Sequence, residues 1–241
     1  MSQFRVGVDI GGTFTDIVFL GADGKVVTKK VSSTVDDYAR AIVDGLAEVY
    51  EEQQLAGADI AELLHGTTVG SNAILEAKGA RTGLITTEGF RDVLEIRTLR
   101  MPRLYDLHWE KPMPLIERYL RRTVKERVDS EGHVKDALDP AEAARVVQTL
   151  LDEKVEAIAV CLLNAYANPV HERAIAEIIQ AKAPDLPFCI SFDVLPEMKE
   201  YERTSTTVIN TYIMPIVKGY LESLRRELDS SGTAAPLLLM Q

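Results

Sequence analysis

Cysteine and histidine are scarce in this sequence, which has two cysteines and four histidines among 241 residues. Cys161 and Cys189 each lie in a short apolar run, where a cysteine is typical of a buried strand and not of a disulfide or a metal ligand. Three histidines, His108, His133 and His171, stand alone in the sequence. Because a zinc site needs several ligands at short spacings, the sequence predicts no zinc site.

Long apolar runs and an excess of positive charge are also missing. No run approaches the roughly 20 apolar residues of a membrane helix, and the N-terminus lacks the charged-then-apolar layout of a secretory signal. The 37 acidic residues outnumber the 27 basic ones and give a net charge of −10. This balance argues against a nucleic-acid or membrane partner. The sequence therefore predicts a cytoplasmic globular protein.

The sequence does contain alternating strand and helix patterns, which predict an α/β fold with a central mixed sheet. Three strands are expected at 4–10, 15–20 and 25–31, and a helix follows at 36–50. Later strands are predicted at 63–67, 81–86, 157–163 and 188–191, and later helices at 69–77, 139–151, 174–181 and 205–228.

The chain is predicted to divide near residues 134–139. Residues 1–134 are expected to form one α/β lobe. This lobe includes an irregular inserted loop at about 92–118, a region that contains three prolines and the only tryptophan. Residues 135–241 are expected to form a second α/β subdomain that ends in the long helix.

The most informative segment is 8–16, Val-Asp-Ile-Gly-Gly-Thr-Phe-Thr-Asp, because it places two glycines directly after an apolar strand. A Walker loop or a dinucleotide fingerprint would need a helix after the glycines, whereas a second strand follows here. In a strand–turn–strand arrangement, Gly11 and Gly12 leave no Cβ in the path of a polyphosphate, and Thr13 adds a hydroxyl donor. The segment therefore predicts a phosphate-binding turn, with an ordinary tight hairpin as the alternative.

Three neighbours of the turn are further candidates. Thr15 is a second candidate phosphate ligand. Asp9, at the strand end, is a candidate to hold Mg²⁺ through water, although it would otherwise be a plain surface carboxylate. Asp16 either caps the turn or faces the reacting phosphoryl group.

Segment 7–16 resembles the first phosphate motif of the actin and hexokinase superfamily. Together with 65–72, His-Gly-Thr-Thr-Val-Gly-Ser-Asn, and with 83–92, it makes the chain similar to the hydantoinase/oxoprolinase family, specifically its A-type subunit. The resemblance covers essentially the whole chain. It implies an actin-like, ribonuclease H-like N-terminal lobe with a mixed sheet. Members of the family continue into a second ATPase lobe, which this chain is expected to lack.

The polar loop at 65–72 takes its functional interpretation from this resemblance. Threonine, serine and asparagine also accumulate at helix starts simply because they cap helices. The residues by themselves therefore leave two interpretations open, a capped helix start and a ligand-binding loop. In the family fold the loop borders the nucleotide cleft. The resemblance then implies that His65 is an acid, base or orienting donor, and that Thr67, Thr68 and Asn72 contact the substrate or the transferred phosphate.

Three arginines are weaker candidates. Arg203 lies in a segment that resembles part of the family at the start of the long helix, where a charged solvated face is the alternative. Arg97 and Arg100 are candidates to line a cleft for an acidic substrate, but a helix end with salt bridges explains them equally well.

The resemblance implies ATP and Mg²⁺ as cofactors and an ATP-dependent amidohydrolase that opens a cyclic amide, imide or lactam. An unstrained amide is a poor electrophile, so transfer of the γ-phosphoryl group to its carbonyl oxygen would activate it toward water. A B-type partner subunit is also implied, and the isolated chain is expected to have little ATPase activity. The alternatives are an ATP-dependent ketone carboxylase subunit, a small-molecule kinase and a non-catalytic nucleotide-binding module.

Overall fold

A computed structural model describes this chain at residues 3–33, 38–98, 105–106 and 108–240. The fold divides into two compact units. The first comprises Met1–Leu75 and Ile216–Gln241, and the second comprises Glu76–Pro215. A helix of 31 residues, Glu200–Ser230, begins in the second unit and ends in the first.

The first unit is built on a mixed sheet. In the described residues its strands are β1 (Phe4–Ile10), β2 (Phe14–Gly21), β3 (Val26–Ser32), β4 (Ile60–Thr67) and β11 (Leu237–Leu239), in the order β11–β4–β1–β2–β3. Strand β2 runs antiparallel to β1 and β3, whereas β4 runs parallel to β1 and to β11. Its helices are α1 (Tyr38–Gln53), α2 (Val69–Leu75) and the end of α7 (Glu200–Ser230).

One face of this sheet forms the core of the first unit. Alternate side chains of β1 and β2, such as Val6, Ile17 and Phe19, are buried on that face, as the period-two pattern predicts. Ile42 of α1 and Leu224 of α7 belong to the same apolar cluster. Removal of these side chains from water stabilises the unit. The mixed α/β fold and the opening of three strands followed by a helix are confirmed.

The parallel strands β1 and β4 bring two sequence motifs to one edge of the sheet. Asp9 is the register partner of Gly66, and Ile10 is the partner of Thr67. Because parallel strands end at the same edge, the glycine turn after β1 and the polar loop after β4 lie side by side.

The second unit contains a parallel sheet and a separate hairpin. In the described residues the sheet consists of β5 (Thr82–Thr87), β6 (Arg121–Val124), β9 (Ala157–Cys161) and β10 (Phe188–Ile190), in the order β10–β9–β5–β6. The hairpin pairs β7 (Arg127–Val128) with β8 (Val134–Asp136). The helices are α3 (Val93–Ile96), α4 (Pro140–Asp152), α5 (Val170–Lys182), α6 (Ser191–Val194) and the beginning of α7.

The structure divides the chain differently from the predicted boundary at residues 134–139. Strand β5 pairs with β6 on one side and with β9 on the other, so one sheet contains strands from both sides of that boundary. Helix α7 then returns the chain to the first sheet. The region predicted as an irregular loop, about 92–118, contains the short helix α3. In the described part of the chain, no helix has both the length and the apolar content to cross a membrane.

Candidate functional site

The turn between β1 and β2 consists of Gly11, Gly12 and Thr13 at the carboxyl end of β1. The Gly11 amide donates a hydrogen bond to the carbonyl of Phe14 at 3.0 Å and closes the turn. Neither glycine has a positive φ, so the backbone conformation alone does not require glycine. A Cβ added at Gly12 would meet no atom within 4 Å. The space beside Gly12 is therefore open to a ligand.

Ser33, which follows β3, holds this turn through three hydrogen bonds. Its amide donates to the carbonyl of Thr13 at 2.9 Å, and its hydroxyl donates to the carbonyl of Gly11 at 2.9 Å. Because that hydroxyl has one proton, it accepts the hydrogen bond from Thr15 Oγ1, 3.0 Å away. Thr15 is fully buried. Thr15, which is predicted as a phosphate ligand, supports the turn from the buried face of β2.

A row of four residues crosses the exposed face of the first sheet. Gly66, Asp9, Asp16 and Lys30 are successive register partners on β4, β1, β2 and β3. Both carboxylates are exposed, and Lys30 Nζ forms an ion pair with Asp16 Oδ1 at 2.8 Å. A Cβ at Gly66 would lie 3.3 Å from Asp9 Oδ1, so glycine gives that carboxylate room. Asp9 is thus placed to take a cation, while Asp16 already has Lys30 as a partner.

A shallow cavity of about 390 Å³ adjoins this row on the same face. Its walls combine the carboxylates of Asp9 and Asp16 with Gly66 and with the apolar side chains of Val18 and Leu64. The volume lies in the range of small-molecule sites. Among the residues that the structure describes, no three His, Cys, Asp or Glu side chains are grouped so that they could hold a metal ion.

His65, which is predicted as an acid, base or orienting donor, lies fully buried on the core side of β4. Its Nδ1 is 3.3 Å from the carbonyl oxygen of Val8, and its Nε2 is 2.6 Å from the hydroxyl of Tyr220. Because a carbonyl can only accept, Nδ1 carries the proton and Nε2 accepts from Tyr220. Burial lowers the pKa of His65, which favours the neutral ring. His65 therefore supports the end of β1, next to Asp9, from the core side.

The polar segment at residues 65–72, predicted as a loop, spans the end of β4 and the start of α2 and lies beside the end of β1. Thr68 Oγ1 donates to the carbonyl of Ile10 at 3.3 Å, and Thr67 Oγ1 accepts from the amide of Val69 at 3.2 Å. Asn72 Nδ2 donates to Thr68 Oγ1 at 3.4 Å. The first of these bonds ties Thr68 to β1, and the other two order the start of α2. They bring the three predicted loop residues and the glycine turn to one edge of the sheet.

The arginine candidates that the structure describes lie in the second unit. Arg97 donates a hydrogen bond to the carbonyl of Pro112, and Arg203 is almost fully buried and donates to the carbonyl of Leu162. Arg100 lies outside the described residues. Neither Arg97 nor Arg203 belongs to the first unit, which contains the turn.

The sequence analysis does not identify three residues of the site, Ser33, Lys30 and Tyr220. Ser33 and Lys30 follow from the pairing of β3 with β2, in which Asp16 faces Lys30, and this register could have been counted from the turn at residues 22–24. Tyr220 has no comparable signal, because 155 residues separate it from His65.

Comparison with known proteins identifies relatives of this chain. The sequence model of the family described as hydantoinase/oxoprolinase N-terminal region matches residues 5–183 of this chain. Caprolactamase subunit alpha of Pseudomonas jessenii is 34% identical over 99% of this chain. Acetophenone carboxylase gamma subunit of Aromatoleum aromaticum is 31% identical over 98% of it. The chain covers 35% and 34% of these two relatives, so it spans about a third of their length.

A solved structure has a similar fold. The crystal structure of the ATP-dependent caprolactamase from Pseudomonas jessenii superposes with a TM-score of 0.92 and 33% sequence identity. The match covers 98% of this chain and 35% of that chain. The two units described above therefore have the fold of one part of a larger enzyme chain.

Proposed function

This chain belongs to the hydantoinase/oxoprolinase family, and on that premise we propose that it is the N-terminal part of an ATP-dependent amidohydrolase that opens a cyclic amide, imide or lactam. The observation that carries the proposal is the edge of the first sheet. There the turn at residues 11–13 and the segment at residues 67–72 lie at the ends of neighbouring parallel strands, beside the exposed carboxylate of Asp9. Donors for an anion and a ligand for a cation thus occur together.

The turn suits the phosphates of ATP. Gly12 and Thr13 are exposed, and the space that a Cβ of Gly12 would fill is open. Backbone amides and a hydroxyl are suitable donors for phosphate oxygens. Ser33 fixes the turn by its bonds to Gly11 and Thr13, so the donors need little rearrangement when the phosphates bind.

Asp9 is the residue that suits Mg²⁺. This ion keeps several of its waters and is usually held by one or two carboxylates together with substrate phosphates. Asp9 is exposed and Gly66 leaves space beside it, whereas Asp16 is paired with Lys30. We therefore assign the contact with the hydrated ion to Asp9.

The role of the chain in this reaction is positioning and electrostatic stabilisation. ATP, when bound, supplies a phosphoryl group that makes the amide carbonyl susceptible to water. The turn holds phosphate oxygens, and Thr68 and Asn72 orient the substrate or the transferred group. His65 and Thr15 hold the strands that carry these groups.

A partner subunit is part of the proposal. The caprolactamase and acetophenone carboxylase relatives are named as subunits. We propose that this chain acts with a B-type subunit, in the cytoplasm, on a small cyclic amide or a related carbonyl compound. By itself the chain is expected to show little ATPase activity.

An ATP-dependent ketone carboxylase is the second candidate. The acetophenone carboxylase gamma subunit, at 31% identity, supports it, and the same turn and Asp9 would serve that reaction. The ATP-dependent caprolactamase, with a TM-score of 0.92 and 33% identity, supports the hydrolase more strongly.

The test is phosphate release and product formation by the complete assembly that contains this chain, with ATP and Mg²⁺. Hydantoin, 5-oxoproline and a simple lactam are compared with a ketone plus bicarbonate. A ring-opened product with stimulated phosphate release supports the amidohydrolase. Turnover that requires bicarbonate supports the carboxylase instead, and stimulation by none of these compounds contradicts both.

A further inference from the structure

We propose that the second unit contains an oxyanion-binding site formed by the guanidinium of Arg203, near the beginning of α7. Arg203 is 1% exposed, and its Nη2 donates to the carbonyl of Leu162 at 2.9 Å. Its Nε and Nη1 are enclosed and have no hydrogen-bond partner among the described residues. A buried guanidinium with unused donors is costly unless a negatively charged partner compensates it. This inference concerns the second unit alone and does not depend on the proposed function.

Glu172 is a carboxylate that interacts electrostatically with Arg203, but its oxygens already accept hydrogen bonds from other donors. Glu172 Oε1 accepts from the Leu162 amide at 2.8 Å and from Ser191 Oγ at 2.7 Å, and its Oε2 accepts from the Phe192 amide at 3.0 Å. Burial also raises the pKa of Glu172, which weakens it as a counterion. Glu172 therefore acts on Arg203 only through space and does not accept a hydrogen bond from its Nε or Nη1.

The position of Arg203 in the fold suits a ligand site. Its partner Leu162 follows directly after β9, and the carboxyl ends of strands in open parallel sheets commonly bind ligands. The ring of Tyr166, in the loop after β9, lies 5.7 Å from the guanidinium carbon and is partly exposed. A guanidinium that stacks on an aromatic ring keeps its N–H donors in its own plane, where an oxyanion can approach them.

The chemistry of the donors defines the class of ligand. The unpartnered Nε and Nη1 atoms carry three N–H donors, and such donors suit the oxygens of a carboxylate, of bicarbonate or of phosphate. These anions share the oxyanion group, and they differ in shape and charge. The experiment therefore compares the three.

The first experiment titrates the purified chain with acetate, bicarbonate and phosphate at constant ionic strength, with chloride as the reference, while NMR follows the arginine Nε–H signals. We expect a saturable shift of the Arg203 Nε–H signal with at least one of the three anions. The anion that saturates this shift at the lowest concentration identifies the class of ligand that the site prefers. Arg121 is the internal control. It is also buried, but its Nε and Nη2 donate to the carbonyl of Ile116 and its Nη1 donates to Glu95, so its signal should stay in place.

The second experiment uses variants of Arg203. Arg203→Lys keeps the charge but removes the planar set of donors, and calorimetry should show anion affinity reduced by at least about tenfold. Arg118→Lys is the matched control, because Arg118 is exposed and already paired with Asp92. The NMR titration uses the unchanged chain, so it remains decisive even if an Arg203 variant fails to fold. If no anion produces a saturable shift, or if Arg203 and Arg121 respond alike, the guanidinium is satisfied by water and the proposal is wrong.

Discussion

The hydroxyl of Tyr220 donates a hydrogen bond to Nε2 of His65, with the two atoms 2.6 Å apart. Nδ1 of the same ring donates to the carbonyl of Val8, the residue before Asp9. Tyr220 therefore fixes the imidazole, and the imidazole fixes the strand that presents the candidate metal ligand. The pair supports the site from the core of the first unit.

Replacing Tyr220 with phenylalanine should destabilise the chain. The change leaves His65 Nε2 buried without a donor, and a loss of about 1–3 kcal/mol in the free energy of unfolding is expected. Urea unfolding measures it. Tyr119→Phe is the control, because Tyr119 is exposed and its hydroxyl accepts from Arg81, so the expected change is within about 0.5 kcal/mol. Equal losses in the two variants would contradict the role given to the pair.

The burial of His65 predicts a pH dependence of stability. Burial lowers the pKa of His65 from its ordinary value of 6.5, so as the pH falls the unfolded chain takes up this proton before the folded chain does. Stability is therefore unaffected by this group above about pH 6.5 and is lost progressively below it. His65→Gln should remove that part of the slope between about pH 8 and pH 5.

Unfolding free energies of the two chains across this range provide the measurement. His108→Gln, at an exposed histidine, is the control and should keep the slope of the unchanged chain. A His65→Gln chain with an unchanged slope would show that His65 titrates alike in the folded and unfolded states.

Gly79 is required by the close approach of an aromatic ring. A Cβ at Gly79 would lie 1.8 Å from the ring of Tyr212, and the neighbouring Ala80 amide donates to the Tyr212 carbonyl at 2.9 Å. Gly79→Ala should therefore cost at least about 1–3 kcal/mol of stability, measured by urea unfolding. Gly7→Ala is the matched substitution, because a Cβ there meets no atom within 4 Å and should change stability by less than about 0.5 kcal/mol. Similar values for the two variants would mean that the ring moves aside without cost.

Local patterns in the sequence predict much of this fold. Strand β1 has its predicted bounds, Phe4–Ile10, because period-two alternation is a local signal. Helix α4 begins at Pro140, and the Asp139 side chain accepts from the Ala141 amide, as a capping signal predicts. The burial of Thr15 also follows from alternation, since Ile17 and Phe19 on the same strand face the core.

Pairings between distant segments account for what the sequence analysis misses. The hydrogen bond between His65 and Tyr220 joins residues that are 155 positions apart, and no local pattern connects them. The single sheet of the second unit depends on β5 lying between β6 and β9, which local propensity does not encode. Strand β6 itself is four residues long, too short for a clear period-two signal.

The central claim is that the turn at residues 11–13 binds the phosphates of ATP, and a pair of glycine variants tests it most directly. At both Gly12 and Gly219 an added Cβ would meet no atom within 4 Å, so valine is compared at the two positions, of which only Gly12 lies in the turn. ATP turnover and the free energy of unfolding are measured for both variants in the complete assembly. The account predicts that Gly12→Val folds normally and loses at least about 100-fold in ATP turnover, while Gly219→Val behaves like the unchanged protein. A folded Gly12→Val assembly with unchanged ATP turnover would contradict the claim.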